Sequence, residues 1–475
     1  MKSNRRNFLK LSGLAGLGLV GAPMLKSHAA HSGVNSDHSV NSDLNPNHPD
    51  HFNMSGYAAP KIDTVRIGFI GLGNRGPGAV KRMSKIDGVE IKALCDLRPD
   101  KAAAAKKLLE NTSHNPTIYT GNENEWKKVC ERNDIDLIYI ATPWQLHTPM
   151  AVYAMEHGKH AASEVPAAVT MEECWQLVET SEKTKKHCMI LENCCYDFFE
   201  LMTLNMARQG FFGEIVHAEG AYIHHLLEDN FSKDKYYDQW RLKENLRNGN
   251  LYPTHGLGPI AQVLNINRGD KMDYLVSVSS NDFMMGNMAK ELAEKDSFYK
   301  PFENKSFRGN MNTTTIRTSK GKTMMLQHDV TSPRPYSRIH LVSGTKGTAQ
   351  KYPEPGRIST SHEGWLTEPE FKALEEKYQP PIVKKLGEMA KQIGGHGGMD
   401  FLMDWRLIDC LRNGLPLDIN AYDAAAWSAI APLSEKSVAS RSNSVDIPDF
   451  TSGFWKTNQP VDVFLQKGGN TKVKI

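Results

Sequence analysis

The sequence is poor in features that would mark many other protein classes. Its seven cysteines include the neighbours Cys194 and Cys195. Their scatter fits neither a disulfide framework nor a zinc site, so they read as reduced thiols. An excess of one charge is also missing. Lys plus Arg number 57 against 54 Asp plus Glu, too even a balance to draw in a polyanion. No basic block is interleaved with aromatics, which argues against nucleic acid as a partner. His217, His224 and His225 crowd one stretch, but adjacent strand residues face opposite sides and no carboxylate is spaced to complete a set, so no metal is expected. Leu11 to Val20 is apolar but only roughly half the ~20 residues of a spanning helix, so no membrane span is expected. No internal repeat is visible. A chain of 475 residues exceeds what one core usually holds, and two domains are expected.

What is present begins with Asn4-Arg5-Arg6-Asn7-Phe8-Leu9-Lys10, a twin-arginine pattern followed by the short apolar run and a small-residue site at Ser27-His28-Ala29. Residues 1–30 therefore read as a cleaved signal peptide, and the protein as periplasmic or otherwise exported. Export after folding is compatible with free thiols. Residues 31–60 are rich in His, Ser, Asn, Asp and Pro without apolar periodicity, and read as a disordered linker in which His31, His38, His48 and His51 are solvated.

The stretch from Val65 to Asp96 organises the remainder of the chain. An apolar run, Ile67 to Ile70, reads as a buried parallel strand. It leads into Gly71-x-Gly73-x-x-Gly76, a helical stretch, a second apolar run from Val89 to Leu94, and Asp96. Gly71 permits a tight strand-to-helix turn, Gly73 lets the backbone approach a pyrophosphate, and Gly76 lets helix and strand pack closely. The helix N-terminus offers free N–H groups to phosphates. Asp96 is placed to bind a ribose diol and to repel a 2′-phosphate, which favours NAD. Strands and helices then alternate through Leu137–Ile140, His160–Ser163 and Met189–Leu191, giving an α/β Rossmann domain over 61–193. From 194 to 475 strands dominate: Ile215–His224, Tyr274–Ser279, Thr313–Thr318, Lys322–Asp329 and Arg338–Ser343. That pattern predicts an α+β domain with an open-faced, mostly antiparallel sheet, plus late helices at Met399–Arg412 and Tyr422–Ser440 that cover the sheets or pack back on the first domain.

The order of Gly71-x-Gly73-x-x-Gly76, Ala141-Thr142-Pro143 with His147, and Glu164-x-Pro166 resembles the glucose–fructose oxidoreductase and inositol dehydrogenase family over roughly residues 61–440. Most dehydrogenases of that family carry a lysine where this chain has Val165, and many carry an Asp and a His four apart where it reads Gly249-Asn-Leu-Tyr252-Pro253-Thr254-His255-Gly256. These departures match one branch, the NAD-dependent glycosidases of glycoside hydrolase family 109, typified by α-N-acetylgalactosaminidase. Trp144-Gln-Leu-His147, Glu192-Asn193, Gly220-Ala-Tyr222-Ile-His224, Trp240-Arg241, Tyr252-Pro-Thr-His255 and Pro333-Arg-Pro-Tyr336 carry the match.

The resemblance implies hydrolysis of a terminal α-N-acetylgalactosamine through oxidation at sugar C3, elimination across C2 and C1, addition of water, and reduction at C3 with NAD regenerated. A full dinucleotide site without an evident pair of catalytic carboxylates fits that cycle. Asn74, Arg75 and Asp96 are expected at the adenosine half. Trp144, Gln145, His147, Glu164, Val165 and Asn193 are expected at the nicotinamide side. Tyr222, Arg241, Tyr252, Pro253, Thr254, His255 and Tyr336 are expected on the sugar. His255, Tyr222 and Tyr252 are the candidates for catalysis, with His255 and Tyr222 chosen for acid–base work: histidine titrates near neutrality, and a tyrosine needs a lowered pKa to act as base. The alternative is a net sugar dehydrogenase, against which Val165 argues. A dinucleotide-dependent sensor is a further alternative. The expected partner is a glycan ending in an amino sugar, with a homo-oligomer possible through the open sheet.

Overall fold

A computed structural model describes residues 51–474. The twin-arginine segment and residues 31–50 lie outside that range. The first sheet has six strands: β1 (Val65–Ile70), β2 (Val89–Cys95), β3 (Thr117–Tyr119), β4 (Leu137–Ile140), β5 (His160–Ser163) and β6 (Cys188–Ile190). They lie in the order β3-β2-β1-β4-β5-β6, every neighbouring pair parallel. Helices cover both faces, and so β1 and β4 are apolar along almost their whole length. The order reverses between β1 and β4, and the crevice at that switch point, outside the carboxyl ends of the strands, is where such sheets bind ligands.

The second sheet has eight strands in the order β13-β12-β11-β7-β10-β9-β8-β14. These are β7 (Ile215–Ile223), β8 (Met272–Ser279), β9 (Asn312–Thr318), β10 (Thr323–Asp329), β11 (Leu341–Gly344), β12 (Thr348–Gln350), β13 (Arg357–Ser359) and β14 (Val445–Asp446). Only β7 and β10 pair in parallel; the other pairs are antiparallel. One face is packed by the Thr254–Val263 and Ile430–Ala439 helices. On the other, His217, Thr315 and Met325 are wholly or partly exposed. A Rossmann sheet followed by an open, mostly antiparallel sheet is the expected fold.

The Met399–Asn413 helix joins the halves. It lies on the Gly76–Met83 helix and β1, where Arg82 Nε donates to Asp404 at 2.7 Å with both residues buried. A separate small core of Leu227, Phe231, Leu242, Met285, Ala289, Tyr299, Phe302 and Phe307 supports the segment from 226 to 246. Among the described residues no helix is long and apolar enough to cross a membrane.

Four local expectations are corrected. Residues 51–60, read as linker, are packed: His51 Nδ1 lies 2.9 Å from Glu182, Tyr422 Oη accepts from Met54 N, and Met54 and Ala59 are buried. Tertiary contacts order this segment, which has no periodicity to announce it. The single helix read over Tyr422–Ser440 is two, Ala421–Ser428 and Ile430–Ala439, because Pro432 cannot donate to the preceding turn. The strand read over Arg338–Ser343 starts only at Leu341, since Ile339 and His340 have φ of 59° and 45°. Such values are costly for a β-branched residue. Finally, helices at Met285–Lys295, Glu368–Tyr378 and Pro381–Ile393 were not anticipated.

Candidate active site

One cavity of about 800 Å³ runs from the glycine turn after β1 to the carboxyl end of β7. The cofactor end is made largely of main chain. Gly71 has φ 91°, and a Cβ there would sit 2.5 Å from the Ala141 carbonyl oxygen; a Cβ on Gly76 would sit 2.1 Å from the Gly71 oxygen. Neither position tolerates a side chain. A Cβ on Gly73 would meet only the Arg98 guanidinium within 4 Å, so its absence opens the turn to the cavity. Asp96 accepts from Leu72 N at 2.7 Å and from Arg98 N at 2.9 Å, which fixes its carboxylate beside the turn. A pyrophosphate cradle next to a ribose-binding carboxylate fits NAD.

Side chains then continue along the carboxyl edge. His147 is buried between two loops, with Nδ1 2.7 Å from the Pro166 oxygen and Nε2 2.8 Å from the Thr142 oxygen. Burial pushes its pKa down, opposed by these carbonyls. Glu164, Val165, Trp144 and Asn193 line the same wall, and Asn193 Nδ2 donates to Asp400 at 2.6 Å.

The far end is a box of rings. A Cβ on Gly220 would lie 2.3 Å from Gly256 O, and one on Gly256 would lie 2.3 Å from Ala221 N. Backbone-to-backbone approach of β7 and the Thr254–Val263 helix thus brings Tyr222 and His255 together, ring centroids 5.4 Å apart. Trp144 stacks on Tyr252 at 5.4 Å. Arg241 lies 5.3 to 6.0 Å from the rings of Tyr236, Trp144, Tyr252 and Trp240. Among the described residues it forms no ion pair.

His255 Nδ1 lies 2.7 Å from Oε1 of the fully buried Glu192. Burial pushes the Glu192 carboxyl up, but the facing His255, together with Thr254 and a hydrogen bond from Cys194 N, brings the pKa below the ordinary value. An ionised carboxylate only accepts, so Nδ1 donates and Nε2, 3.5 Å from Tyr252 Oη, faces the cavity. Glu192, Cys194 and His255 present atoms within 4.8 Å of one another. Burial holds the Cys194 thiol well above its usual pKa, and the Glu192 oxygen already accepts from Cys194 N; the cluster reads as an orienting pair for the imidazole.

Several placements differ from expectation. Arg75 leaves the phosphate turn to pair with Glu164 at 2.9 Å and Asp400 at 3.2 Å. Asn74 Nδ2 donates to Lys235 O at 3.0 Å, tying the turn to the segment that carries Arg241. Gln145, Pro253, Thr254 and Tyr336 do not line the cavity. Gln145 lies in a helical turn beside it, Pro253 caps a helix, Thr254 is buried against Glu192, and Tyr336 stands at the rim with its hydroxyl accepting from Arg338 at 3.2 Å. The pKa values of Tyr222 and Tyr252 are raised, chiefly by burial. The lowered pKa that a tyrosine base needs is absent, and both remain phenols.

Three residues were missed. Glu192 lies two residues past β6, capping the Asn193–Tyr196 turn at the carboxyl edge, a position that already marks ligand contacts in such sheets. His224 Nδ1 lies 2.9 Å from Tyr222 Oη. His396 reaches the cavity from the loop 394–398, every residue of which has positive φ. The visible signal was Gly-Gly-His-Gly-Gly itself.

A Rossmann domain, a glycine cradle and an open sheet facing it define the fold of an NAD-binding oxidoreductase family. Residues 65–192 match the family described as "Oxidoreductase family, NAD-binding Rossmann fold". Levoglucosan dehydrogenase with NADH and levoglucosan superposes with a TM-score of 0.61 at 17% identity, covering 81% of this chain and 100% of that one. Scyllo-inositol dehydrogenase from Lactobacillus casei with NAD(H) and scyllo-inositol gives 0.57 at 14%, covering 81% and 99%. Residues 196–457 match "Glycosyl hydrolase 109, C-terminal domain". Glycosyl hydrolase family 109 protein 1 of Bacteroides fragilis is 52% identical over 84% of this chain and 88% of its own. An alpha-N-acetylgalactosaminidase of the same species is 52% identical over 86% and 97%, and a family 109 protein of Shewanella pealeana is 45% identical over 98% and 99%. The chain belongs to glycosyl hydrolase family 109. It is a glycoside hydrolase with an NAD-binding domain.

Proposed function

We propose that the protein removes terminal α-linked N-acetylgalactosamine from glycans by an NAD-dependent cycle that leaves no net oxidation. One observation carries the mechanism: among the residues lining the cavity, no two carboxylates face each other across the sugar end. Asp96 and Glu123 stand at the adenosine end and Glu164 is paired with Arg75. Ordinary glycosidases need two carboxyl groups flanking the bond. The sugar is supported by the relative of that name at 52% identity.

Bound NAD supplies reversible hydride removal at a sugar carbon bearing a hydroxyl group. Gly71, Gly73, Asp96, Glu164 and Asn193, which line the cavity, would hold it in place. The residues of the box do the rest. His255 Nε2 takes a proton from the sugar and returns it, with Glu192 fixing the tautomer through Nδ1. Tyr222 and Tyr252 donate hydrogen bonds to sugar oxygens. Arg241, a cation with no carboxylate partner among the described residues, holds the acetamido carbonyl or a hydroxyl. His396 lines the same cavity and is assigned the proton for the leaving oxygen. Its Nδ1 is 3.0 Å from Asp400, and its exposed ring can deliver a proton from the mouth of the cavity.

The test is incubation of the NAD-loaded enzyme with nitrophenyl α-N-acetylgalactosaminide. Nitrophenol and free sugar should appear in equal amounts while NADH stays substoichiometric. Bulk NADH without sugar release would instead establish a net dehydrogenase. We also propose export by the twin-arginine route, from residues 4–10. Replacing Arg5 and Arg6 by lysine should keep the protein in the cytoplasmic fraction, and unchanged export would remove the proposal.

A further inference from the structure

A second cavity of about 330 Å³ lies on the other side of the 394–398 loop, and His396 lines both. We propose that it holds the saccharide unit next to the terminal sugar, so that a glycan is gripped on both sides of the bond to be cleaved. The inference rests on the glycosidase reading above. The two cavities meet at His396, held with its Nδ1 3.2 Å from Arg75 Nη1 and 3.0 Å from Asp400, so a glycan leaving the first cavity past this side chain enters the second.

The wall between the cavities is continuous. Tyr336 at the rim of the first lies 5.9 Å from the ring of Tyr352, next to Lys351 in the second. Arg338 lies 5.9 Å and 5.4 Å from those two rings. It is pinned by Glu200 at 2.7 Å and Asp197 at 3.0 Å, and Lys351 is bound by Asp197 as well. Both cations are thus paired with carboxylates, which suits a neutral ligand.

The rest of the lining has the chemistry of a sugar site. Phe199 and Phe371 lie parallel, centroids 6.3 Å apart at 10°, and both are half-buried. A Cβ on Gly356 would sit 2.5 Å from the Phe199 ring, so glycine leaves room beside that ring. Ring faces take the C–H face of a sugar, and nearby polar groups take its hydroxyls. Gln379 Oε1 is a buried acceptor with no partner among the described residues, and it lines this cavity together with the exposed carboxylate of Glu375. The volume lies at the low end of the roughly 300–1,000 Å³ of small-molecule sites, enough for one sugar unit.

The experiment compares wild type, Phe371→Ala and Gln379→Ala on nitrophenyl α-N-acetylgalactosaminide and on the trisaccharide with terminal α-N-acetylgalactosamine on lactose. Each variant should lose roughly tenfold in kcat/KM on the trisaccharide, mainly through KM, and stay within about twofold on the nitrophenyl substrate. Equal losses on both substrates, or none on the trisaccharide, overturn the proposal. Gln379→Ala guards against a folding defect in the phenylalanine variant. Should wild type cleave neither substrate, the α-N-acetylgalactosaminide reading fails on its own, and calorimetry with lactose decides the cavity. Binding weakened roughly tenfold by Phe371→Ala supports it; no binding to wild type overturns it.

Discussion

The two ends of the main cavity are built on different principles. At the cofactor end the working surface is main chain: three glycines within one turn and a carboxylate held by two backbone N–H groups. At the sugar end it is side chain. Tyr222 comes from β7, Arg241 from a short helix resting on the satellite core, His255 from a buried helix and Glu192 from the cap of the helical turn after β6. A main-chain site is contiguous in sequence and intolerant of any side chain. A side-chain site is assembled from distant segments, and its members can be exchanged without disturbing the fold. If this contrast is right, substitutions at the two ends should separate cofactor retention from turnover.

The largest effect belongs to the glycines. Gly76→Ala places a Cβ 2.1 Å from the Gly71 oxygen, a backbone atom that cannot swing aside. The turn must shift, at a cost of about 3 kcal/mol or more, so bound NAD should fall more than about 100-fold. NAD released on denaturation, read by absorbance, measures it directly. In the same assay His255→Asn should retain wild-type NAD while losing turnover. Loss of NAD in both variants would erase the contrast.

Glu192→Gln should come next. It removes the charge facing His255 but keeps the shape, and a hydrogen bond to a charged group is worth about 1.5–3 kcal/mol, so kcat should fall about 10- to 100-fold with NAD content unchanged. The same residue sets a pH dependence. Its pKa is lower folded than unfolded, so the unfolded chain binds more protons as the pH falls past the ordinary glutamate value. Its contribution to stability is present above about pH 4.5 and lost as pH falls through the folded value. Melting temperature should therefore fall more steeply below about pH 4.5 in wild type than in Glu192→Gln. Parallel curves would show that the carboxylate is not held charged by His255.

The same contrast explains what could be read from the sequence. Gly71 to Asp96 carries its spacing and its flanking strands in one stretch, so fold class and cofactor were legible there. Tyr222, Arg241 and His255 were legible only through resemblance, since no local pattern distinguishes a cavity tyrosine from a packed one. Their partners were not. Glu192 stood in view at a strand end, but its use depends on a helix placed by the close approach of Gly220 and Gly256, which no periodicity encodes. Tyr336 and Thr254 matched the family yet stand at the rim and beneath the site. Tertiary contact also decided the fate of residues 51–60, and Pro432 outweighed helical periodicity after Tyr422.

The smallest effect tests the one place where the two ends touch. Asn74 belongs to the glycine turn, but its side chain donates to Lys235 O on the segment that leads to Tyr236 and Arg241. Asn74→Ala removes that single hydrogen bond. At an exposed position it is worth about 0.5–1 kcal/mol, so NAD should leave about two- to fivefold faster, with kcat on the nitrophenyl substrate nearly unchanged at saturating NAD. Fluorescence of NADH displaced by excess NAD gives the rate. An unchanged rate would mean that the turn alone retains the cofactor and that the sugar-binding segment contributes nothing to it. A loss in kcat without a change in release would mean the reverse, that this bond serves to place Arg241. Either result locates the boundary between the main-chain and side-chain halves of the cavity to one residue.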